Sequence, residues 1–497
     1  EVRSTLRSRS FVGEVRNSDR LYFGAMHRVL ADFLRSQSPD ADEEIDTILS
    51  QFGAMFEAAD GRGNEGARIV RTNAPGTMAL IRNLRGEGRL LDHWNSVNNL
   101  GVRLLNWGEA EFGSQLLEEL TLESTRQLGF EHPDTLVAMN NLALTLRDRG
   151  DLAGAQHLQE QVLEARRRVR GAEHPDTLSV MNNLAATLSD RGDLVGAQHL
   201  QEQALEVGRR IRGVEHPDTL GAMHNLATTL RKRGDLAGAQ HLQEQVLDVS
   251  RRTRGAEHPD VLSVMNNLAN TLSDRGDLAG AQHLQEQALE VGRRIRGAEH
   301  PETLSVMNNL ANTLSDRGDL AGAQHLQEQA LEVRRRTRGA EHPETLIIMN
   351  NLANTLGGRG DLAGAQHLQE QALEASLRIR GAEHPETLIV MHNLANTLRN
   401  RGALDRAQRL QEQVLEARRR IFGPEHPDTS VAAWNLGMTL ERKGLSSHQV
   451  FREHLAWLHE RTPESLSAHQ VTIRSRLEQR ARKEFSIRQK KPWWKFW

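Results

Sequence analysis

The residues with the most chemistry in them recur in fixed columns. Of the 22 histidines, six fall at His157, His199, His241, His283, His325 and His367. Eight more sit in Glu-His-Pro tripeptides that begin at Glu131, Glu173, Glu215, Glu257, Glu299, Glu341, Glu383 and Glu425. A histidine column invites a metal reading, because imidazole suits zinc, copper and nickel. Neighbours in either column are 42 residues apart, which is one structural unit. Packed helices stand roughly 10 Å from each other, and zinc holds its ligands at about 2–2.3 Å. Column neighbours therefore cannot share an ion. They read as surface or corner histidines, and neither a metal nor another cofactor is expected.

Catalytic constellations are missing as well. The chain has no cysteine, which excludes a disulfide framework, a thiolate zinc site and a thiol nucleophile. It carries no GxxxxGK[ST] phosphate loop, and the Gly-rich stretch from Gly61 to Arg68 lacks both the spacing and the lysine. GxSxG, HExxH and calcium-loop patterns are absent. The chain reads as non-enzymatic.

Asparagine is the better lead. Asn99, Asn141, Asn183, Asn225, Asn267, Asn309, Asn351, Asn393 and Asn435 form one unbroken column. Beside it run Asn140, Asn182, His224, Asn266, Asn308, Asn350, His392 and Trp434. One helical turn on come Asn270, Asn312, Asn354 and Asn396, where earlier units have Leu144, Ala186 and Thr228. An amide both donates and accepts, so such a ladder can pair with an extended peptide backbone whatever its side chains. Each bond is worth about 0.5–1.5 kcal/mol net, so several must act together. The competing reading has these amides satisfying backbone groups between helices.

Columns of this kind need identical elements at identical spacing. The Glu-His-Pro tripeptide returns every 42 residues, a period that signals a solenoid whose units bury their apolar faces against neighbours. Each unit reads as two helices. Pro133 suits the first helical position, and Asp134 places negative charge at the N-terminal dipole. Leu136, Met139, Leu142, Ala143 and Leu146 then follow at helical spacing. Gly150 stops the helix, and Asp151 caps a second one carrying Leu152, Ala155, Leu158, Val162 and Leu163. Its basic end, Arg166 to Arg168, suits the C-terminal dipole. Counting one glycine per unit from Gly108 to Gly444 gives nine units over residues 90–461. The first has Trp94 and Trp107 and no Glu-His-Pro, and the last has Trp434 and Trp457, as expected of terminal units with one unpartnered face.

The Asn-Asn-Leu-Ala segment, the Gly-Asp-Leu after it and the following Ala155 and Leu-Glu pair resemble the tetratricopeptide repeat, in the 42-residue form of kinesin light chains. The resemblance implies an all-α, right-handed superhelix of about nine helical hairpins. It also implies that the first helices, with their asparagine columns, line a concave groove that takes a protein or peptide. One departure matters. Where the family usually has an aromatic in the second helix, this chain has Gln159, Gln201, Gln243, Gln285, Gln327, Gln369 and Gln411, each an amide in need of a partner.

The ends differ from the array. Residues 1–89 are not periodic and read as a helical cap or the remnant of a preceding module, with helices expected over Leu21–Leu34 and Glu43–Ala58. Met26-His27-Arg28-Val29-Leu30, followed by Phe33-Leu34-Arg35, resembles the stretch that joins a signal-transduction ATPase module to its repeats. That resemblance implies the alternative function, a sensing arm of an ATP-driven signalling or defence complex whose catalytic part lies elsewhere. The first residue is Glu1 rather than Met, so the chain reads as processed or as part of something longer. Residues 462–497 read as a basic helical tail, with nine Lys and Arg against three Glu, ending in Trp493, Trp494, Phe496 and Trp497. That end could dock a partner, fold into the chain's own groove, lie at a membrane interface or stay solvated. A net charge of −3 offers no field for nucleic acid, and no apolar run is long enough to span a bilayer. With no signal peptide and no cysteine, a cytoplasmic scaffold or adaptor is expected.

Overall fold

The computed structural model describes residues 45–46, 49–50, 52–54, 74, 77–106, 110–462 and 465–488. The stretch from Leu21 to Arg35 and the terminal Trp493, Trp494, Phe496 and Trp497 lie outside them. Every regular element among the described residues is a helix. The helices alternate as first and second members of each 42-residue unit, for example Pro175–Arg191 and Leu194–Arg212, then Pro217–Arg233 and Leu236–Arg254. Consecutive helices pack on one another, as these four do in turn, which is the arrangement of a helical solenoid.

The helix boundaries follow from local chemistry. In the Glu-His-Pro corners the histidine is the N-cap: its Nδ1 accepts the N–H two residues on, at 3.2 Å from Asp134 to His132 and 3.1 Å from Asp428 to His426. Proline follows at the first helical position, where its missing N–H costs nothing. The corner glutamate pairs with an arginine near the end of its own unit's second helix, at 2.5 Å for Glu131–Arg168 and Glu215–Arg252. These pairs are solvent-exposed and add little to stability. The glycine that ends the first helix takes positive φ, 87° at Gly150 and 89° at Gly192. The aspartate after it caps the second helix, with the Gly154 N–H donating to Asp151 at 2.9 Å.

The chain divides into two compact units. In the first, Trp94–Asn106, Ala110–Leu128 and Pro133–Asp148 share a core in which Val97, Leu100, Leu104, Leu116 and Leu120 meet Ile45, Leu49, Phe52, Ile81 and Leu84. Residues from the non-periodic segment thus cover the apolar face of the first hairpin. In the second, a column of Met223, Met265, Met307 and Met349 alternates with Leu226, Leu268, Leu310 and Leu352. Ala288, Ala330 and Ala372, from the second helices, are fully buried beside them. The core there is Leu, Met, Val and Ala with Ile348, and has no aromatic member among the described residues.

At the C-terminal end of that unit, the helix Ala468–Arg488 opens on a reciprocal cap. The Ser467 N–H donates to Gln470 Oε1 at 2.9 Å, and the Gln470 N–H to Ser467 Oγ at 3.4 Å. Leu466, Ile473 and Leu477 join Trp434, Phe451, Leu455 and Leu458 in one buried cluster. Trp434 stacks on Phe451 at 5.3 Å, and the Arg480 guanidinium lies 5.6 Å from the Trp434 ring centre. Arg480 also pairs with Glu441. Part of the basic segment is therefore committed to capping the last repeat. Val471, on the same helix, is 39% exposed.

Candidate peptide-binding face

The asparagines lie on the first helices at positions i, i+3 or i+4 of one stripe, so a rigid element presents each. The structure brings the two adjacent columns together across repeat boundaries. Asn141 Nδ2 donates to Asn98 Oδ1 at 2.9 Å, Asn351 to Asn308 at 3.1 Å, and Asn393 to Asn350 at 3.1 Å. Where histidine replaces the first asparagine the contact persists, from Asn267 to His224 Nε2 at 3.3 Å and from Asn435 to His392 Nε2 at 3.1 Å. Each bond ties one first helix to the next. The exceptions are informative. Asn182 Oδ1 and Asn266 Oδ1 would accept from Asn225 and Asn309, yet both are buried with no partner among the described residues. Asn225 is exposed, while Asn183 and Asn309 are half-buried.

The later group meets the glutamine column. Gln285, Gln327 and Gln369 donate to Asn270, Asn312 and Asn354 Oδ1 at 3.4, 3.3 and 3.3 Å. Gln243, whose unit has Thr228 at that place, donates instead to the Asn267 carbonyl at 3.4 Å. Gln159, whose unit has Leu144, is fully buried with neither end of its amide partnered among the described residues. At the eighth repeat Asn396 is present, but its Oδ1 and both ends of the Gln411 amide are unpaired among the described residues. Asparagine one turn on is thus the answer to the buried glutamine over three consecutive repeats.

These bonds fix the orientation of the amides. A second-column asparagine that spends an N–H on the neighbouring repeat keeps its Oδ1 as an acceptor. Asn312 and Asn354, both exposed, spend Oδ1 on glutamine and keep N–H donors. The face offers acceptors and donors one helical turn apart, which is what an extended backbone with both groups requires.

Electrostatics changes along the stripe. Near the ends of the first helices of the fifth and sixth repeats, burial and then Asp274 raise the carboxyl of Asp316. Asp274 itself pairs with Arg231 at 2.6 Å. In the eighth and ninth repeats, burial and then Arg442 depress the guanidinium of Arg399, which reaches the Asn435 carbonyl at 3.5 Å. His392 is pushed down to about 4 by burial, with Arg418 and Arg399 adding to the effect and Asp428 opposing it. Burial also lowers His224. Both rings are neutral near pH 7 and able to accept a hydrogen bond.

Sequence reasoning passed over Ile347 and Ile389, which lie four residues before Asn351 and Asn393 and are 40% and 37% exposed. Other repeats have Ser179, Gly221, Ser263 and Ser305 there, so the departure from the internal consensus was the available signal. The histidine column sits elsewhere, on the second helices, exposed and paired with glutamine four residues on, as in His283 with Gln287 at 3.0 Å. Among the described residues no group of side chains could hold a metal ion, and no helix is long and apolar enough to cross a membrane.

The repeat has counterparts among known proteins. A family model for the tetratricopeptide repeat matches seven overlapping segments, from residues 134–210 to residues 386–447. A crystal structure of a Podosopora anserina putative kinesin light chain with nearly identical repeats is similar at 29% identity, covering 41% of this chain and 97% of that one, with a TM-score of 0.37. BtubC from P. vanneervenii is similar at 23% identity, covering 46% and 92%, with a TM-score of 0.39. A Rap protein complexed with competence and sporulation factor is similar at 13% identity, covering 71% and 98%, with a TM-score of 0.43. No curated protein matches the chain.

Proposed function

The chain belongs to the tetratricopeptide repeat family, and we propose that it acts as a non-enzymatic scaffold or adaptor. In this reading it holds an extended peptide or protein segment against the asparagine-bearing face of its first helices. One observation carries the proposal. Where the bonds are made, as from Asn351 to Asn308 and from Gln369 to Asn354, the fold commits one end of an amide and the other end is left to pair with a ligand. The orienting bonds spare the ligand the entropy of ordering those side chains. The Asn141, Asn183, Asn225, Asn267, Asn309, Asn351 and Asn393 column then supplies acceptors, and Asn270, Asn312, Asn354 and Asn396 supply donors. Backbone pairing alone is sequence-tolerant, so specificity falls to Ile347, Ile389 and the charged helix ends. A cytoplasmic setting belongs to the same reading, on the cysteine-free composition.

The test is selection from a displayed library of random twelve-residue peptides on the immobilised full chain, then titration of the enriched peptides in solution. Asn225→Ala with Asn309→Ala is the informative variant, because neither side chain makes a described hydrogen bond to another residue. It should weaken peptide binding several-fold while leaving the melting temperature where it was. Peptides that bind this double variant as tightly as the parent would refute the assignment of the face.

A further inference from the structure

The second compact unit holds a contact that the repeat pattern does not require. A Cβ placed on Gly192 would lie 2.4 Å from His426 Cδ2 and 3.0 Å from its Nε2, although 234 residues separate the two in the chain. Likewise a Cβ on Gly150 would meet Pro385 Cδ at 2.8 Å. Later glycines of the same column, Gly276, Gly318, Gly360, Gly402 and Gly444, share the positive φ and have nothing within 4 Å of such a Cβ among the described residues. The corner of the eighth repeat carries the matching sign, since His384 is only 7% exposed while the other described corner histidines are half-buried.

His426 is set up for this contact by one local departure. In the corners from His174 to His384 the residue four before the histidine is arginine. It turns toward the corner, as Arg170 does to His174 Nε2 at 3.3 Å and Arg296 to His300 Nε2 at 3.1 Å. Before His426 that residue is Phe422, which stacks on the imidazole with ring centres 4.5 Å apart. The Nδ1 of His426 is occupied as acceptor by the Asp428 N–H. The proton of the neutral ring therefore sits on Nε2, the edge turned to Gly192 and the backbone of Asp190. Around it Asp190 is held by Lys232 at 3.1 Å. Burial, then Arg418 and Lys232, outweigh Asp428 and the Asp190 backbone and keep the ring below the usual histidine range.

We propose that this is a clasp. His426, freed from arginine and braced by Phe422, docks on the bare glycine corner at Gly192 and holds the third repeat to the ninth. Pro385 on Gly150 forms a second tooth between the second repeat's turn and the eighth. The inference is independent of any ligand. Glycine is needed here twice, for its φ and for the missing Cβ, whereas at Gly276 only the first reason applies among the described residues.

The chain has no cysteine, so Val195→Cys and Leu445→Cys, at sites 56% and 49% exposed, can be spin-labelled cleanly for pulsed dipolar distance measurement. The parent and a Gly276→Ala control should give the same single narrow distribution. Gly192→Ala, with the same backbone strain plus a collision, should broaden and lengthen it. So should His426→Asn, which preserves an N-cap but cannot reach Gly192; His258→Asn, in a corner with no such neighbour among the described residues, should not. Circular dichroism on each variant separates unfolding from unclasping. Narrow, unchanged distributions in both Gly192→Ala and His426→Asn would overturn the clasp, as would a broad distribution in the parent.

Discussion

Replacing His392 by asparagine should make the protein more resistant to acid without touching its stability at neutral pH. The position is one where the chain's own consensus is asparagine, as at Asn308 and Asn350. An asparagine Oδ1 there can accept from Asn435 Nδ2 as Asn350 accepts from Asn393 at 3.1 Å, so the ladder bond survives. The folded protein holds His392 at about 4 against an ordinary value of 6.5. Between those two values the unfolded chain binds a proton that the folded chain does not, and stability falls as pH falls. The loss begins near pH 6.5, is complete just below pH 4, and does not operate above pH 7. Stability drops by about 1.4 kcal/mol for each pH unit within that window, so the penalty at pH 4.5 comes to about 2.5 kcal/mol. Urea unfolding of parent and variant, followed by circular dichroism at pH 7.5 and 4.5, reads the difference directly. The variant should match the parent at pH 7.5 and exceed it by about 2–3 kcal/mol at pH 4.5. Parallel losses in both proteins would show that His392 is not the acid-sensitive group and that its ring is not held neutral by burial.

Other perturbations follow from the same contacts. Gln159→Leu removes an amide that is buried without a partner among the described residues, and should stabilise the chain by about 1 kcal/mol in thermal or urea unfolding. Gln369→Leu strips Asn354 of its donor and should gain less or lose in the same measurement. Leu477→Ala opens a cavity beneath Trp434 and Phe451 and should cost about 2–5 kcal/mol, with early loss of the tryptophan fluorescence signal. Deleting one whole unit, Glu299 to Ala340, should leave a soluble helical protein, because stability is nearly additive along a repeat array; aggregation instead would mean that the units do not stack independently.

Periodicity made most of the fold legible. Pro133, Gly150 and Asp151 mark helix ends for reasons that act within a few residues, and recurrence every 42 residues repeats the same instruction. The corner histidine was harder to read, because a ring nitrogen acting as an N-cap acceptor depends on tautomer and rotamer rather than on residue type. The partner of each buried glutamine was hidden for a different reason. Gln327 and Asn312 are 15 residues apart on different helices, and only the hairpin geometry sets the amides face to face. The asparagine columns were visible as columns, but their bonds to the preceding repeat needed the distance between first helices. Contacts such as Gly192 with His426 lie wholly beyond periodic reasoning, since they depend on how small rotations accumulate over several repeats. Phe422 in place of arginine was the one trace they left in the sequence.

The claim that the amides read peptide backbone can be measured by taking one peptide enriched on the parent chain and methylating its backbone nitrogens one at a time. Each N-methyl group deletes a donor and keeps every side chain. Loss of affinity at regularly spaced positions, with alanine replacement of the intervening side chains tolerated, is the predicted pattern. Affinity that ignores N-methylation and tracks side-chain identity at every position would contradict the account.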